Sequence, residues 1–234
     1  MQGTAEPKKR QYFRDRVRAW YQEHHRDFPW RHTCNAYETL LAELLLQQTD
    51  APKAAKAYEG LLASFPTPAS LARAEPKRVL ESVRRIGLEY RAGRLISIGK
   101  AIEDQFHGEV PVDREALLGL PGVGPYIANA VLAAAFGQRV AVLDTNVVRV
   151  VGCFFGVRSA LKRPRTDPRL WQFAQGLLPR NAAAAREWNY AVLDFAAILC
   201  RHRRPRCGIC PCRRKCCAFC QFNPQPRSGR TPGA

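Results

Sequence analysis

The sequence predicts an all-α protein, and three observations carry that expectation. Apolar residues recur at helical spacing along most of the 234-residue chain. Prolines, among them Pro29, Pro66, Pro68, Pro76 and Pro111, punctuate those runs. Two of the runs are joined by Leu120-Pro121-Gly122-Val123-Gly124-Pro125-Tyr126. Pro121 cannot continue a helix, Gly122 and Gly124 permit a tight turn with positive φ, and Pro125 suits the first turn of the next helix.

The elements follow in order. Met1 to Arg10 is polar and basic, and residues 1–12 read as a flexible basic arm. Phe13 to Gln22 sets Phe13, Val17, Trp20 and Tyr21 along one helical stripe. Phe28-Pro29-Trp30-Arg31 ends it as an aromatic corner. Tyr37 to Gln48 is a strongly apolar helix through Leu40, Leu41, Leu44, Leu45 and Leu46, with Glu43 inside the run. Burying a lone carboxylate is costly, so Glu43 either faces solvent or is there for a reason. Ala54 to Phe65, Leu71 to Ala74 and Lys77 to Arg85 form short helices. A loop, Gly87-Leu88-Glu89-Tyr90-Arg91-Ala92, precedes a helix to about Phe106. The two helices around Gly-Val-Gly span about 114–136. Val140 to Leu143 then delivers Asp144 just ahead of a helix reaching Phe155. Arg158 to Arg169 is a basic connection, and Leu170 to Leu178 and Ala182 to Leu199 are the last long helices. Residues 221–234, rich in Pro, Gly and Arg, read as a disordered tail.

Charge narrows the choice of partner. Lys plus Arg number 37 against 20 acids, giving +17. A field of that size attracts polyanions, nucleic acid first and a membrane surface second. No apolar run approaches the roughly 18 residues of a spanning helix, and the N-terminus has no signal-peptide core. A Gly-Val-Gly turn at a helix N-terminus exposes amide N–H groups suited to phosphate.

Seven of the nine cysteines lie between Cys200 and Cys220, which favours metal binding in a reducing compartment over disulfides. Cys200, Cys207, Cys210 and Cys216 give C-x6-C-x2-C-x5-C. Four such thiolates can hold zinc or an iron–sulfur cluster. Cys34, Cys153, Cys212, Cys217 and Cys220 read as apolar fillers or surface thiols, with Cys212 and Cys217 as competing ligands. Arg203, Arg204 and Arg206, between two of the cysteines, suit phosphate contacts, which add affinity without reading sequence.

The Gly-Val-Gly hairpin followed by Asp144, together with the cysteine spacing, resembles the helix-hairpin-helix DNA glycosylases of the endonuclease III and MutY superfamily, from about Phe13 to Cys220. The resemblance implies a two-lobed all-α fold. One lobe is a six-helix barrel over 28–138. The other joins 13–27 to 139–220 and carries a [4Fe–4S] cluster on Cys200, Cys207, Cys210 and Cys216. It implies a monomer acting on double-stranded DNA in the cytoplasm, at the nucleoid in a prokaryote, and no membrane. Gly122, Val123 and Gly124 would grip phosphates. Leu88 or Tyr90 would be pushed into the duplex. Glu43-Leu44-Leu45-Leu46-Gln47-Gln48-Thr49 resembles the MutY motif, whose Glu is a general acid on the departing base and whose second Gln, here Gln48, enters the opened stack. Asp144 would stabilise the positive charge that builds on the sugar. Asn189-Tyr190-Ala191-Val192-Leu193-Asp194-Phe195 is also close to the family pattern, with Asn189 and Asp194 capping or pairing within the fold.

Tyr126 bears on the reaction. Endonuclease III-like enzymes place a lysine two residues after the second glycine, where it forms a Schiff base with the sugar. A phenol cannot do so. The resemblance therefore implies a monofunctional enzyme that leaves an abasic site. Tyr126 with Glu43 and Asp144 is most similar to the MIG-type mismatch glycosylases, which remove T or U opposite G; Ile127 stands where many relatives have Thr. Three other readings remain. One is a MutY-like adenine glycosylase without the C-terminal recognition domain, set against the 18 residues that follow Cys216. The others are a bifunctional lyase using a different lysine and a non-catalytic DNA-binding protein.

Overall fold

Proline opens several of the helices, where its missing N–H costs nothing. The computed structural model describes residues 7–84 and 90–222, with side chains at 7–84 and 92–219. The helices are α1 (Pro7–His24), α2 (Ala36–Leu46), α3 (Ala51–Ser64), α4 (Pro68–Ala72), α5 (Pro76–Val83) and α6 (Tyr90–Phe106). Then come α7 (Arg114–Gly119), α8 (Pro125–Ala134), α9 (Thr145–Phe155), α10 (Pro168–Gln175), α11 (Ala182–Ile198) and α12 (Cys217–Phe222). The described residues contain no strand, so the all-α expectation holds. Among them no helix is long and apolar enough to cross a membrane.

Short polar side chains start the helices. Asn35 accepts from the amides of Tyr37 and Glu38, Asp113 from that of Ala116. Thr67 and Ser70 form a reciprocal capping box on α4. Asp167 caps α10 and pairs with Arg169 at 2.9 Å. Hydrogen bonds from Arg169 and Ser159 hold the Asp167 carboxyl well below the usual carboxylate range.

The chain divides into two compact units. One comprises the residues up to His25, Leu143–Leu178 and those from Glu187 onward. Its core is aromatic: the Phe13 ring lies 4.6 Å from Phe154, 5.1 Å from Phe155 and 5.8 Å from Trp188. The arm expected over 1–12 is corrected from Pro7 onward, where α1 is already helical, and residues 1–6 lie outside the described residues. The Arg10 guanidinium lies over Phe173 and the Lys9 ammonium near Phe154, so the basic residues cover aromatic surface.

The other unit is Arg26–Val142 with Pro179–Arg186. In it α2 packs on α3 and α8, and α4 and α5 pack on α6. Leu40, Leu41, Leu45, Leu61, Ile98, Leu117 and Leu132 are fully buried there. Pro179–Arg186 joins this unit although the sequence expectation placed it with 139–220. Arg139 donates to the Pro179 carbonyl at 2.6 Å, and Arg186 donates to the carbonyls of Arg31 and Thr33. These bonds join residues far apart in sequence.

Candidate active site

The hairpin is built as its residues dictate. Gly122 has φ 79°, and a Cβ there would collide with the Arg94 side chain. Gly124 is different. Its φ is −106°, and a Cβ there would meet no protein atom within 4 Å. Positive φ is therefore confined to the first glycine, and the second leaves open space before the α8 N-terminus. Val123 is buried between them, its amide bonded to Leu120. Asn129 on α8 locks the hairpin by donating to the Ala141 carbonyl at 2.8 Å and accepting from Arg114. Tyr126, the second residue of α8, is half-buried against the core of this unit.

The same unit holds Glu43, which is 8% exposed and sits where α2 is buried from Thr39 to Leu45. A solvent-facing Glu43 is thereby excluded. Just beyond α2, Gln47 donates to the Gly122 carbonyl at 3.1 Å and accepts from Arg94 at 3.1 Å. Gln48 is exposed with a left-handed backbone, φ 55°. Gln47 and Arg94 thus hold the hairpin turn, a role the sequence did not disclose. Leu88 lies outside the described residues. Tyr90 is the first residue of α6, and its side chain is not described.

In the other unit Asp144 caps α9. Its carboxylate accepts from the Val147 amide at 2.7 Å and from the Asn146 amide group at 2.6 Å. Asn146 Oδ1 in turn accepts from Arg149 at 2.9 Å. Arg149 also donates to the Cys200 carbonyl at 2.6 Å and to that of Ala196 at 3.0 Å. A chain of donors therefore runs from the Cys200 backbone to the Asp144 carboxylate. Asn189 and Asp194 are buried in this unit.

The cysteines gather after α11. The 3-10 turn Cys207–Ile209 leads into Cys210, and the turn Arg213–Lys215 leads into Cys216. Each of these cysteine amides bonds back to the first residue of its turn, which presents Cys210 and Cys216 in like fashion. Arg203, Arg204 and Arg206 are exposed, and the Arg206 amide closes their loop onto the Leu199 carbonyl at 2.9 Å.

The thiols act in pairs. A hydrogen bond with Cys200, aided by Arg149 and Arg158, lowers the Cys153 thiol to about 6, while the same bond raises Cys200. Cys212 bonds to Cys210 and lowers it to about 7, Cys212 itself being raised. Burial pushes Cys207 and Cys216 up. Cys153, expected as a filler or surface thiol, and Cys212, expected as such or as a competing ligand, each have a spaced cysteine as partner. Among the described residues no three His, Cys, Asp or Glu side chains converge as ligands of one ion. The donors are soft thiols, the kind of ligand that iron–sulfur clusters take.

The chain belongs to a family described as "HhH-GPD superfamily base excision DNA repair protein", whose model matches residues 41–175. It is 39% identical over 211 residues to a thymine/uracil-DNA glycosylase of Pyrobaculum aerophilum, covering 89% of this chain and 92% of that protein. It is also 39% identical over 194 residues to an adenine DNA glycosylase of Mycobacterium tuberculosis, covering 82% of this chain and 63% of that one. A solved thermostable thymine-DNA glycosylase superposes with a TM-score of 0.86 at 32% identity, covering 93% of this chain and 99% of that one.

Proposed function

We propose that this protein is a monofunctional DNA glycosylase that flips T or U from opposite G in duplex DNA and hydrolyses its glycosidic bond. One observation carries the choice of chemistry: Tyr126 occupies the second position of α8, and α8 contains no lysine. A bond between base and sugar is unreachable inside the stack, so the base must leave it first. The hairpin amides and the bare Gly124 would let a phosphate approach α8, and Arg203, Arg204 and Arg206 would hold further phosphates. Gln48, exposed and polar, would hydrogen-bond within the opened stack, with Leu88 or Tyr90 as wedge.

The reaction builds positive charge at C1′. The Asp144 carboxylate would stabilise it and orient the attacking water. Glu43, buried on α2, would protonate or bind the departing base. Tyr126 would line the base pocket. Cys200, Cys207, Cys210 and Cys216 would hold a [4Fe–4S] cluster, which supplies a structural anchor for the basic loop. The protein would act as a cytoplasmic monomer.

The test is single-turnover excision on G:T, G:U, A:8-oxoguanine and thymine glycol duplexes, each with and without alkali. Cutting of G:T or G:U only after alkali is expected. Adenine release would move the protein to the other named activity, and strand cutting without alkali would refute the role given to Tyr126.

A further inference from the structure

The segments that the glycosylase reading sets against DNA meet at a pair of side chains belonging to none of them. The segments are the hairpin turn at Gly122, the exposed Gln48, and the start of α6, where Tyr90 stands. The pair is Gln47 and Arg94. Gln47 Nε2 donates to the Gly122 carbonyl at 3.1 Å, and Gln47 Oε1 accepts from Arg94 Nη1 at 3.1 Å. Arg94 also fills the space beside Gly122, where an added Cβ would lie 2.4 Å from its Cδ.

The chemistry of the pair is specific. Gln47 donates at one end of its amide and accepts at the other, which neither a carboxylate nor an alkyl chain can do. A guanidinium only donates, so Arg94 fixes which way that amide points. Gln47 is also the C-cap of α2 and directly precedes Gln48, whose backbone is left-handed at φ 55°. Arg94 stands about one turn of α6 beyond Tyr90. A displacement of the hairpin turn therefore reaches Gln48 through one side chain and the start of α6 through the next. All of these residues lie in one compact unit.

We propose that Gln47 and Arg94 are positioning residues that couple the hairpin's hold on phosphate to the opening of the base stack. The proposal rests on the glycosylase reading above. Neither side chain acts on the reacting atoms. Without the pair the hairpin amides still bind phosphate, but Gln48 and the start of α6 are no longer tied to them. Gly122 is exposed, so its carbonyl takes water when Gln47 is made apolar, and the fold survives.

The test uses the full chain and a duplex with U opposite G beside 2-aminopurine, whose fluorescence rises when its stack opens. Wild type, Gln47→Leu, Arg94→Met and the double variant are compared in single-turnover excision at rising enzyme concentration. Fluorescence is read on the same duplex carrying a 2′-fluoroarabino uracil nucleotide that is not cleaved. Each single variant should lower the maximal rate roughly tenfold, the scale of one hydrogen bond. The enzyme concentration giving half that rate should move by less than about twofold, because phosphate contacts carry the affinity. The fluorescence rise should shrink with the rate, and the double variant should be no slower than the slower single, since the pair acts as a unit. Wild-type rates, an undiminished fluorescence rise, affinity lost in place of rate, or losses that multiply in the double variant each overturn the proposal. If Gln47→Leu does not fold, Gln47→Glu replaces it: a carboxylate keeps the bond from Arg94 but cannot donate to Gly122, and the same losses are expected. If wild type releases adenine instead, the comparison runs on A opposite 8-oxoguanine. A wild type that releases no base would defeat the glycosylase reading itself, whereas the failures above leave that reading standing.

Discussion

Replacing Asp144 by Asn separates its structural work from its chemistry. Asn and Asp are comparable helix caps, so the bond from the Val147 amide can survive. The other carboxylate oxygen accepts from the Asn146 amide group, and Asn146 cannot turn over, because its oxygen is held by Arg149. In Asp144→Asn two amide donors therefore face each other. Losing that bond costs about 1–2 kcal/mol, or a fall in Tm of about 2–8 °C for a chain of this size. Losing the charge proposed to face the sugar should cost roughly 10²–10³ in single-turnover excision. The double variant Asp144→Asn/Asn146→Asp restores an acceptor between Arg149 and the new amide. Its Tm should return toward wild type while excision stays low and DNA binding persists. Calorimetry and single-turnover kinetics read the two effects apart. Wild-type excision by Asp144→Asn, or excision restored in the double variant, would refute the role of the Asp144 carboxylate.

Four further outcomes are expected. Tyr126→Lys should yield a protein–DNA adduct trapped by borohydride, which wild type should not form. Gly122→Ala should destabilise by about 1–3 kcal/mol through its positive φ and the Arg94 clash, whereas Gly124→Ala should change stability by less than about 0.5 kcal/mol and weaken duplex binding in a gel-shift titration. Arg203→Ala, Arg204→Ala and Arg206→Ala combined should lower the salt slope of DNA binding by roughly 3. Asp167 has a carboxyl held below its unfolded value, so its contribution to stability is present above about pH 4 and is lost as the pH falls below that; Asp167→Asn should flatten that acid limb in thermal melts.

Much of the fold was legible because prolines, glycines and helical spacing punctuate the chain locally. Phe13, Val17, Trp20 and Tyr21 marked α1, and all four are buried. Its start was missed because Lys9 and Arg10 read as solvent charges, while their side chains lie near the rings of Phe154 and Phe173. The hairpin showed itself through Pro121, Gly122 and Pro125, but only backbone geometry separates a glycine needed for φ from one that leaves space. The groups that support the site were not legible. Gln47 meets Gly122 and Arg94, and Arg149 meets Cys200, across 47 to 75 residues of sequence. No local pattern records such pairings. Gln47 also looks like its neighbour Gln48, and only the turn at Gln48 sends the two side chains different ways.

The eleven residues of α9 also restrict how this protein can change length. From the Asp144 cap to Cys153 the helix rises about 13–14 Å. One residue inserted between Asn146 and Cys153 would turn everything beyond it by about 100° and lengthen the rise by about 1.5 Å. Placed ahead of Arg149, it would turn that residue toward the aromatic core and cut its bond to the Cys200 carbonyl. Gly156 ends the helix in a left-handed turn with φ 76°, and the basic connection after it has no such register to keep. Insertions and deletions should therefore be accepted more readily at the exposed Leu161 and Lys162 of that connection than within α9.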